Sequence, residues 1–332
     1  MGWLGRKDPL QIVTFRSYGT SSHLYARGRA LEDEAIDLGR KGTLQLLLST
    51  WKRFETDEVR NTPLHLTLGG ASYALQTDKD GYYLLDQAHP GLNALADAEG
   101  WVPYTVSYVP EGLSRPILRE NRFGGELLIP PQTARFGIIT DIDDTILHTG
   151  VTSYLKWQVI ANTVFKRAES RIPLHGAPEL YHKLHGGVGG QCGNPVFYVS
   201  HSPWNLYRYL DYFLTRNAFP KGPILLRSMA SFLSRRRGGA PHKQHEIENI
   251  LKTYPDLPFV LIGDSGERDA DIYLELAGRF PGRVAAIYLR SVRHRGRMRR
   301  VRELISREKE VPVLLVQESE EVLHHARGLG LV

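Results

Sequence analysis

The chain has one cysteine, Cys192, in 332 residues. An internal disulfide is therefore excluded, which fits a reducing compartment such as the cytoplasm. Long apolar runs are also missing, and none approaches the ~20 residues that a bilayer-spanning helix needs. The opening Met1-Gly2-Trp3-Leu4-Gly5-Arg6 has no long apolar stretch followed by a small-residue cleavage site, so a secretory signal is not expected. Arg6 stands where a myristoylation signal wants Ser or Thr. Cys192 lies beside the glycine-rich stretch Gly186-Gly187-Val188-Gly189-Gly190 and has no histidine patterned to activate it, so it reads as a loop residue.

Charge is plentiful but uneven, with a formal net charge of +6. Between Arg290 and Glu310 nine Arg or Lys residues stand against three Glu, and Arg235-Arg236-Arg237 form a second basic cluster. A run of this kind is usually a solvated helix face. It also suits an anionic partner, either phospholipid headgroups or nucleic acid. Arg293, Arg295, Arg297, Arg299 and Arg300 are the candidate contacts. No aromatic residues are interleaved with them, which weakens single-strand binding by base stacking.

The length is sufficient for two domains with ordinary cores. Residues 1–130 read as short alternating strands broken by turn residues. Leu64, Leu66 and Leu68 alternate with polar neighbours, Gly69-Gly70 turns the chain, Asp80-Gly81 predicts a hairpin, and Tyr104, Val106 and Tyr108 alternate again. Leu44, Leu47, Leu48, Trp51 and Phe54 follow a 3.6-residue period, so one helix is expected here. The simplest assembly is a β-sandwich-like support or recognition domain with one helical insertion. Residues 131–332 instead alternate apolar strands with amphipathic helices. The strand candidates are Phe136–Thr140, Pro195–Ser200, Gly222–Arg227, Pro258–Gly263, Val284–Leu289 and Val311–Gln317. This pattern predicts an α/β domain with a doubly wound parallel sheet, whose ligands bind beyond the carboxyl ends of the strands.

Chemistry-bearing residues fall at three of those strand ends. The first strand runs into Asp141-Ile142-Asp143-Asp144-Thr145, where alternate carboxylates would share a face. Two like charges so placed raise each other's pKa unless a cation neutralises them, and such oxygens suit Mg²⁺. Taken alone, the run reads equally as a solvated acidic turn. A calcium loop is disfavoured by Ile146 at a position that wants glycine. The second strand ends at Ser200, and Ser202-Pro203 read as the start of a helix suited to holding a phosphate. Lys243 opens an amphipathic helix before the fourth strand, which ends in Gly263-Asp264-Ser265-Gly266-Glu267-Arg268-Asp269.

In this order, D-x-D-x-T, strand-Ser, Lys before a strand and G-D-x₄-D resemble the four motifs of the haloacid dehalogenase superfamily, over roughly residues 134–318. The resemblance implies that Asp141 is a nucleophile forming an aspartyl-phosphate and Asp143 the general acid and base. Thr145 would orient the turn, while Ser200 and Lys243 would bind phosphoryl oxygens. Asp141, Asp264 and Asp269, with the backbone carbonyl of Asp143, would hold Mg²⁺ directly or through water. An acid at position 143 favours phosphatase chemistry over dehalogenation or ion transport.

Only ~40 residues separate Ser200 from Lys243, too few for a folded cap domain. Residues 151–167 and 177–184 read as helices, leaving room for a small lid at most, and an open site suits a large or surface-bound ester. The local sequences around Asp141, Ser200 and Asp264, with Ser17-Tyr18-Gly19 and Gly28-Arg29-Ala30-Leu31, resemble bacterial relatives of the yeast actin-patch phosphatidate phosphatases, a lipin-related family. His201 departs from that pattern, standing where a smaller polar residue is expected. The resemblance implies Mg²⁺-dependent hydrolysis of phosphatidate to diacylglycerol, peripheral to the inner face of a membrane. Two alternatives stay open: a phosphatase of another large phosphomonoester such as a polynucleotide end, and a non-catalytic membrane-binding module.

Overall fold

A computed structural model of the chain describes residues 8–32, 58–111, 113, 115–142, 146, 176–227, 242–265, 268–291 and 295–332. The helices expected at 44–54 and 151–167 lie outside the described residues, as does Arg235-Arg236-Arg237. The chain divides into two compact units, Met1–Ile129 and Pro130–Val332.

The first unit holds β1 (Leu10–Thr14), β2 (Ser17–Gly19), β3 (His23–Glu32), β4 (Pro63–Leu68), β5 (Ala71–Gln76), β6 (Tyr82–Ala88), β7 (Trp101–Tyr108) and β8 (Phe123–Leu128). Along β4 every second residue is buried, so Leu64, Leu66 and Leu68 face inward while Pro63, His65 and Thr67 face out. All eight strands belong to one hydrogen-bonded sheet rather than the two sheets of a sandwich, in the order β1-β3-β2-β8-β7-β4-β5, with β6 on β3. Leu24 and Ala26 of β3, Tyr83 and Leu85 of β6, and Leu64 and Leu66 of β4 nevertheless share one core. A flat sheet could not bring strands so far apart in that order together, so this one coils over its own inner face.

The turn expected at Asp80-Gly81 is present, with Asp78 N–H donating to the Tyr82 carbonyl and Gly81 N–H to the Asp78 carbonyl. It does not make a hairpin. β6 leaves β5 and pairs with β3 in an antiparallel register from His23 opposite Ala88 to Arg29 opposite Tyr82. β3, at ten residues, is long enough to serve β1 and β2 on one edge and β6 on the other.

The second unit contains β9 (Gly137–Thr140), α1 (Ala177–Gly186), β10 (Val196–Pro203), α2 (Tyr207–Arg216), β11 (Ile224–Arg227), α3 (His242–Thr253), β12 (Phe259–Asp264), α4 (Asp269–Arg279), β13 (Val284–Arg290), α5 (Arg295–Arg307), β14 (Val313–Val316) and α6 (Ser319–Gly328). Its six strands are all parallel and lie in the order β11-β10-β9-β12-β13-β14. The chain starts in the middle at β9, moves outward to β11, and returns to the other side of β9 with β12. The crevice at such a reversal, beyond the carboxyl ends of the two central strands, is where open parallel sheets place their ligands.

Every residue of β9 and β12 is buried, which explains why these strands read as continuous apolar runs rather than alternating ones. Ile138, Ile139, Val260 and Leu261 are inaccessible to solvent, each contributing about 1.5–3 kcal/mol by burial. Gly137 has no room for a side chain, because a Cβ there would lie 2.2 Å from the Phe259 ring. That close approach lets the two central strands pair. Among the described residues, no helix is long and apolar enough to cross a membrane.

Candidate active site

Three neighbouring strands deliver the site. In register, Tyr198 of β10 and Ile262 of β12 both stand beside Thr140 of β9. One residue beyond Thr140 comes Asp141, two beyond Tyr198 comes Ser200, and two beyond Ile262 comes Asp264. All three side chains are buried at the same edge of the sheet. The Asp141 N–H donates to the Ile262 carbonyl at 2.9 Å, extending the β9–β12 ladder to the carboxylate itself.

Asp269 is the first residue of α4 and joins from beyond β12. One ligand oxygen each from Asp141, Asp264 and Asp269 lies within 4.8 Å of the others. Asp269 also ties the strand tip to the helix, because its Oδ2 accepts the Asp264 N–H at 3.2 Å. Gly263 makes this approach possible: a Cβ there would meet Asp269 Oδ2 at 2.4 Å and the Tyr273 ring at 2.8 Å. The Tyr273 hydroxyl donates to the Ile262 carbonyl at 3.1 Å, and burial, followed by the nearby Asp269, pushes its pKa well up.

Lys243, near the start of α3, is inaccessible to solvent. Its Nζ lies 3.0 Å from Asp141 Oδ1 and 2.5 Å from Asp269 Oδ1. Burying an ammonium is costly unless it is paired, so the lysine and the carboxylates need one another. Among the described residues of the cluster, three carboxylates stand against the one Lys243 ammonium, an excess of negative charge on hard oxygen donors. A hard divalent cation suits that donor set in both charge and ligand type.

Of the residues expected from the motifs, Asp141, Lys243, Asp264 and Asp269 come together, and Ser200 lies on the adjacent strand. Asp143 and Thr145 lie outside the described residues. The helix expected to start at Ser202-Pro203 begins later. β10 continues through Pro203, a single 3₁₀ turn spans Trp204–Leu206, and α2 follows from Tyr207. Ser202 therefore caps no helix; its N–H instead donates to Ser200 Oγ at 2.9 Å, and β10 pairs Pro203 with Arg227 of β11. The extension crosses an irregularity after Val199, where the register with β11 shifts, and pairing resumes at Pro203.

Motif reading missed the support beneath Asp141. Thr140 Oγ1 donates to the Asp141 carbonyl at 2.9 Å and lies 2.5 Å from the Tyr181 hydroxyl of α1. With the threonine proton directed to the carbonyl, the tyrosine is the donor of the second bond. Tyr181 is 41 residues from Thr140, and nothing in its local sequence marks it. His201 is partly buried, and its pKa is pushed down to about 3, first by burial and then by Lys243, His242, Arg227 and Arg268. It is a neutral imidazole at neutral pH.

Residues 136–291 match the family model described as the catalytic domain of phosphatidate phosphatase APP1. That match takes in just under half of the chain, so this segment is similar to that family's catalytic domain. Over 156 residues, 46% of the chain, it is 38% identical to phosphatidate phosphatase APP1 of Saccharomyces cerevisiae. An uncharacterized protein of Schizosaccharomyces pombe is 26% identical over 285 residues, 85% of the chain. The chain spans 25% of the length of the first relative and 42% of the second. Among solved structures, a carbohydrate acetylesterase from Xanthomonas citri aligns with 96% of this chain and 75% of its own at 8% identity and a TM-score of 0.32. The APP1-type segment contains Asp141, Ser200, Lys243, Asp264 and Asp269, and runs from just before β9 to just after β13.

Proposed function

We propose that the chain is a Mg²⁺-dependent phosphatase with a haloacid dehalogenase-like catalytic domain, hydrolysing phosphatidate to diacylglycerol at an anionic membrane surface. The observation that carries this reading is the buried cluster of Asp141, Asp264 and Asp269 around Lys243, inside the segment that matches the APP1 catalytic domain. The substrate comes from the yeast relative, which is named a phosphatidate phosphatase.

Asp141, Asp264 and Asp269, with the backbone carbonyl of Asp143, would hold Mg²⁺. When bound, the cation supplies positive charge beside the transferring phosphoryl group. The Asp141 carboxylate attacks phosphorus, forming an acyl phosphate as the ester P–O bond breaks. Asp143 gives its proton to the leaving alcohol oxygen, then takes one from the water that opens the acyl phosphate. Inorganic phosphate leaves and Asp141 is restored. Lys243, held against Asp141 before substrate arrives, and Ser200 bind the phosphoryl oxygens, so their charge and dipole are in place without reorganisation. Thr145 orients the turn that carries Asp143.

Arg299 and Arg300 lie on α5, the helix that follows β13, and Arg293, Arg295 and Arg297 precede them in the sequence. Near an anionic bilayer each contributes about 1 kcal/mol of attraction. On this reading the enzyme is cytoplasmic and docks on the inner face of the membrane.

A screen of phosphatidate vesicles, a 5′-phosphorylated oligonucleotide and sugar phosphates, each with and without Mg²⁺, tests the reading. Diacylglycerol release that requires Mg²⁺ is expected. Turnover of the oligonucleotide with none of the lipid would reassign the substrate to nucleic-acid ends. Vesicle binding without hydrolysis of any ester would leave a non-catalytic module.

A further inference from the structure

The loop leaving β12 is tied to the basic helix by contacts that the reaction does not use. Ser265, the residue after Asp264, is buried, and its N–H and hydroxyl both donate to the Arg290 carbonyl at the end of β13, at 2.9 and 2.7 Å. Its Oγ also lies 3.2 Å from Met298 Sδ of α5. Met298 is 7% exposed, and a second hydroxyl, that of Ser291, points at the same sulfur at 3.8 Å. Further along α5, Arg300 pairs with Asp271, two residues past Asp269 in α4. One helix thus holds both sides of the segment that separates two of the three clustered carboxylates.

We propose that Ser265 and Met298 are positioning residues for Asp264. The Ser265 hydroxyl, fixed by the Arg290 carbonyl on one side and bounded by the Met298 sulfur on the other, holds the β12 tip so that Asp264 stays within reach of Asp141 and Asp269. The cation affinity of the cluster then depends on a side chain of the basic helix that touches no carboxylate. Groups that orient metal-binding carboxylates commonly change affinity by about 10–100-fold when removed. This proposal rests on reading the carboxylate cluster as a cation site.

The test uses the full chain and three variants, Ser265→Ala, Met298→Ala and the nearly isosteric Met298→Leu. Mg²⁺ affinity is measured by calorimetry without substrate, and amide hydrogen exchange is followed at Asp264 and Ser265. Ser265→Ala and Met298→Ala should weaken Mg²⁺ binding about tenfold and speed exchange at Ser265. Met298→Leu, which keeps the packing but not the sulfur, should fall between them and the wild type. A lower melting temperature with unchanged Mg²⁺ affinity and unchanged exchange at Ser265 would reduce the contact to ordinary packing and overturn the proposal. If the wild-type chain binds no Mg²⁺, the cation reading and the affinity claim both fall. Faster exchange at Ser265 in Met298→Ala would then still establish that the helix holds the loop.

Discussion

Lys243 and Asp141 form a fully buried ion pair, Nζ to Oδ1 at 3.0 Å, across the gap between α3 and the end of β9. Because the same ammonium reaches Asp269, it pairs with two of the three clustered carboxylates. Removing it leaves buried negative charge without that partner, which costs about 3–5 kcal/mol. Lys243→Met should therefore melt well below the wild type, and added Mg²⁺ should restore more stability to the variant than it adds to the wild type. Thermal melts with and without Mg²⁺ check this. A variant that melts like the wild type in the absence of Mg²⁺ would show that the pair does not hold the cluster.

Gly263→Ala sets a new methyl against Asp269 and Tyr273. Overpacking of this kind costs about 1–3 kcal/mol, and here relief requires moving a clustered carboxylate. Stability and Mg²⁺ affinity should fall together. Unchanged Mg²⁺ affinity in a folded variant would mean that Asp269 can shift without consequence.

His201 has a folded pKa of about 3, below the ordinary value of 6.5. Between those values the unfolded chain takes up a proton that the folded chain refuses, so stability falls as pH drops through that window. Above pH 6.5 the residue is neutral in both states and contributes no pH dependence. His201→Gln should therefore lose less stability than the wild type between pH 6.5 and pH 4. Parallel melting curves for the two proteins across that range would contradict the burial argument.

The second unit was legible in the sequence because its central strands are buried on both faces and appear as apolar runs bounded by polar tips. Phe259-Val260-Leu261-Ile262 is such a run, and the structure lengthens it by one strand residue beyond Gly263, to Asp264. Asp141, Lys243, Asp264 and Asp269 were legible because each sits at a strand end or helix start, where spacing fixes position. Tyr181 and Met298 were not, since each acts through a tertiary contact that no local pattern encodes. The pairing of β6 with β3 was hidden for a similar reason: a turn signal fixes where the chain bends, while the partner is chosen by a strand more than fifty residues earlier.

The outward face of α5 is open to direct test at Arg299, which is 84% exposed on its side chain. Arg299→Glu should weaken binding to anionic vesicles by more than tenfold, since removing one positive charge costs about 1 kcal/mol and adding a negative one costs a similar amount. Hydrolysis of a soluble phosphate ester should not change. Vesicle cosedimentation alongside that assay separates docking from chemistry. Equal vesicle binding by variant and wild type would remove Arg299 from the contact surface.

The central claim is that Asp141 takes the phosphoryl group. The most direct measurement is turnover of phosphatidate vesicles with Mg²⁺ by the wild type and by Asp141→Asn, with the acyl phosphate trapped by borohydride and located by mass spectrometry. The account predicts a trapped adduct at Asp141 and a loss of at least about 10³-fold in turnover in the variant. Wild-type turnover by Asp141→Asn, or an adduct on any other residue, would contradict it.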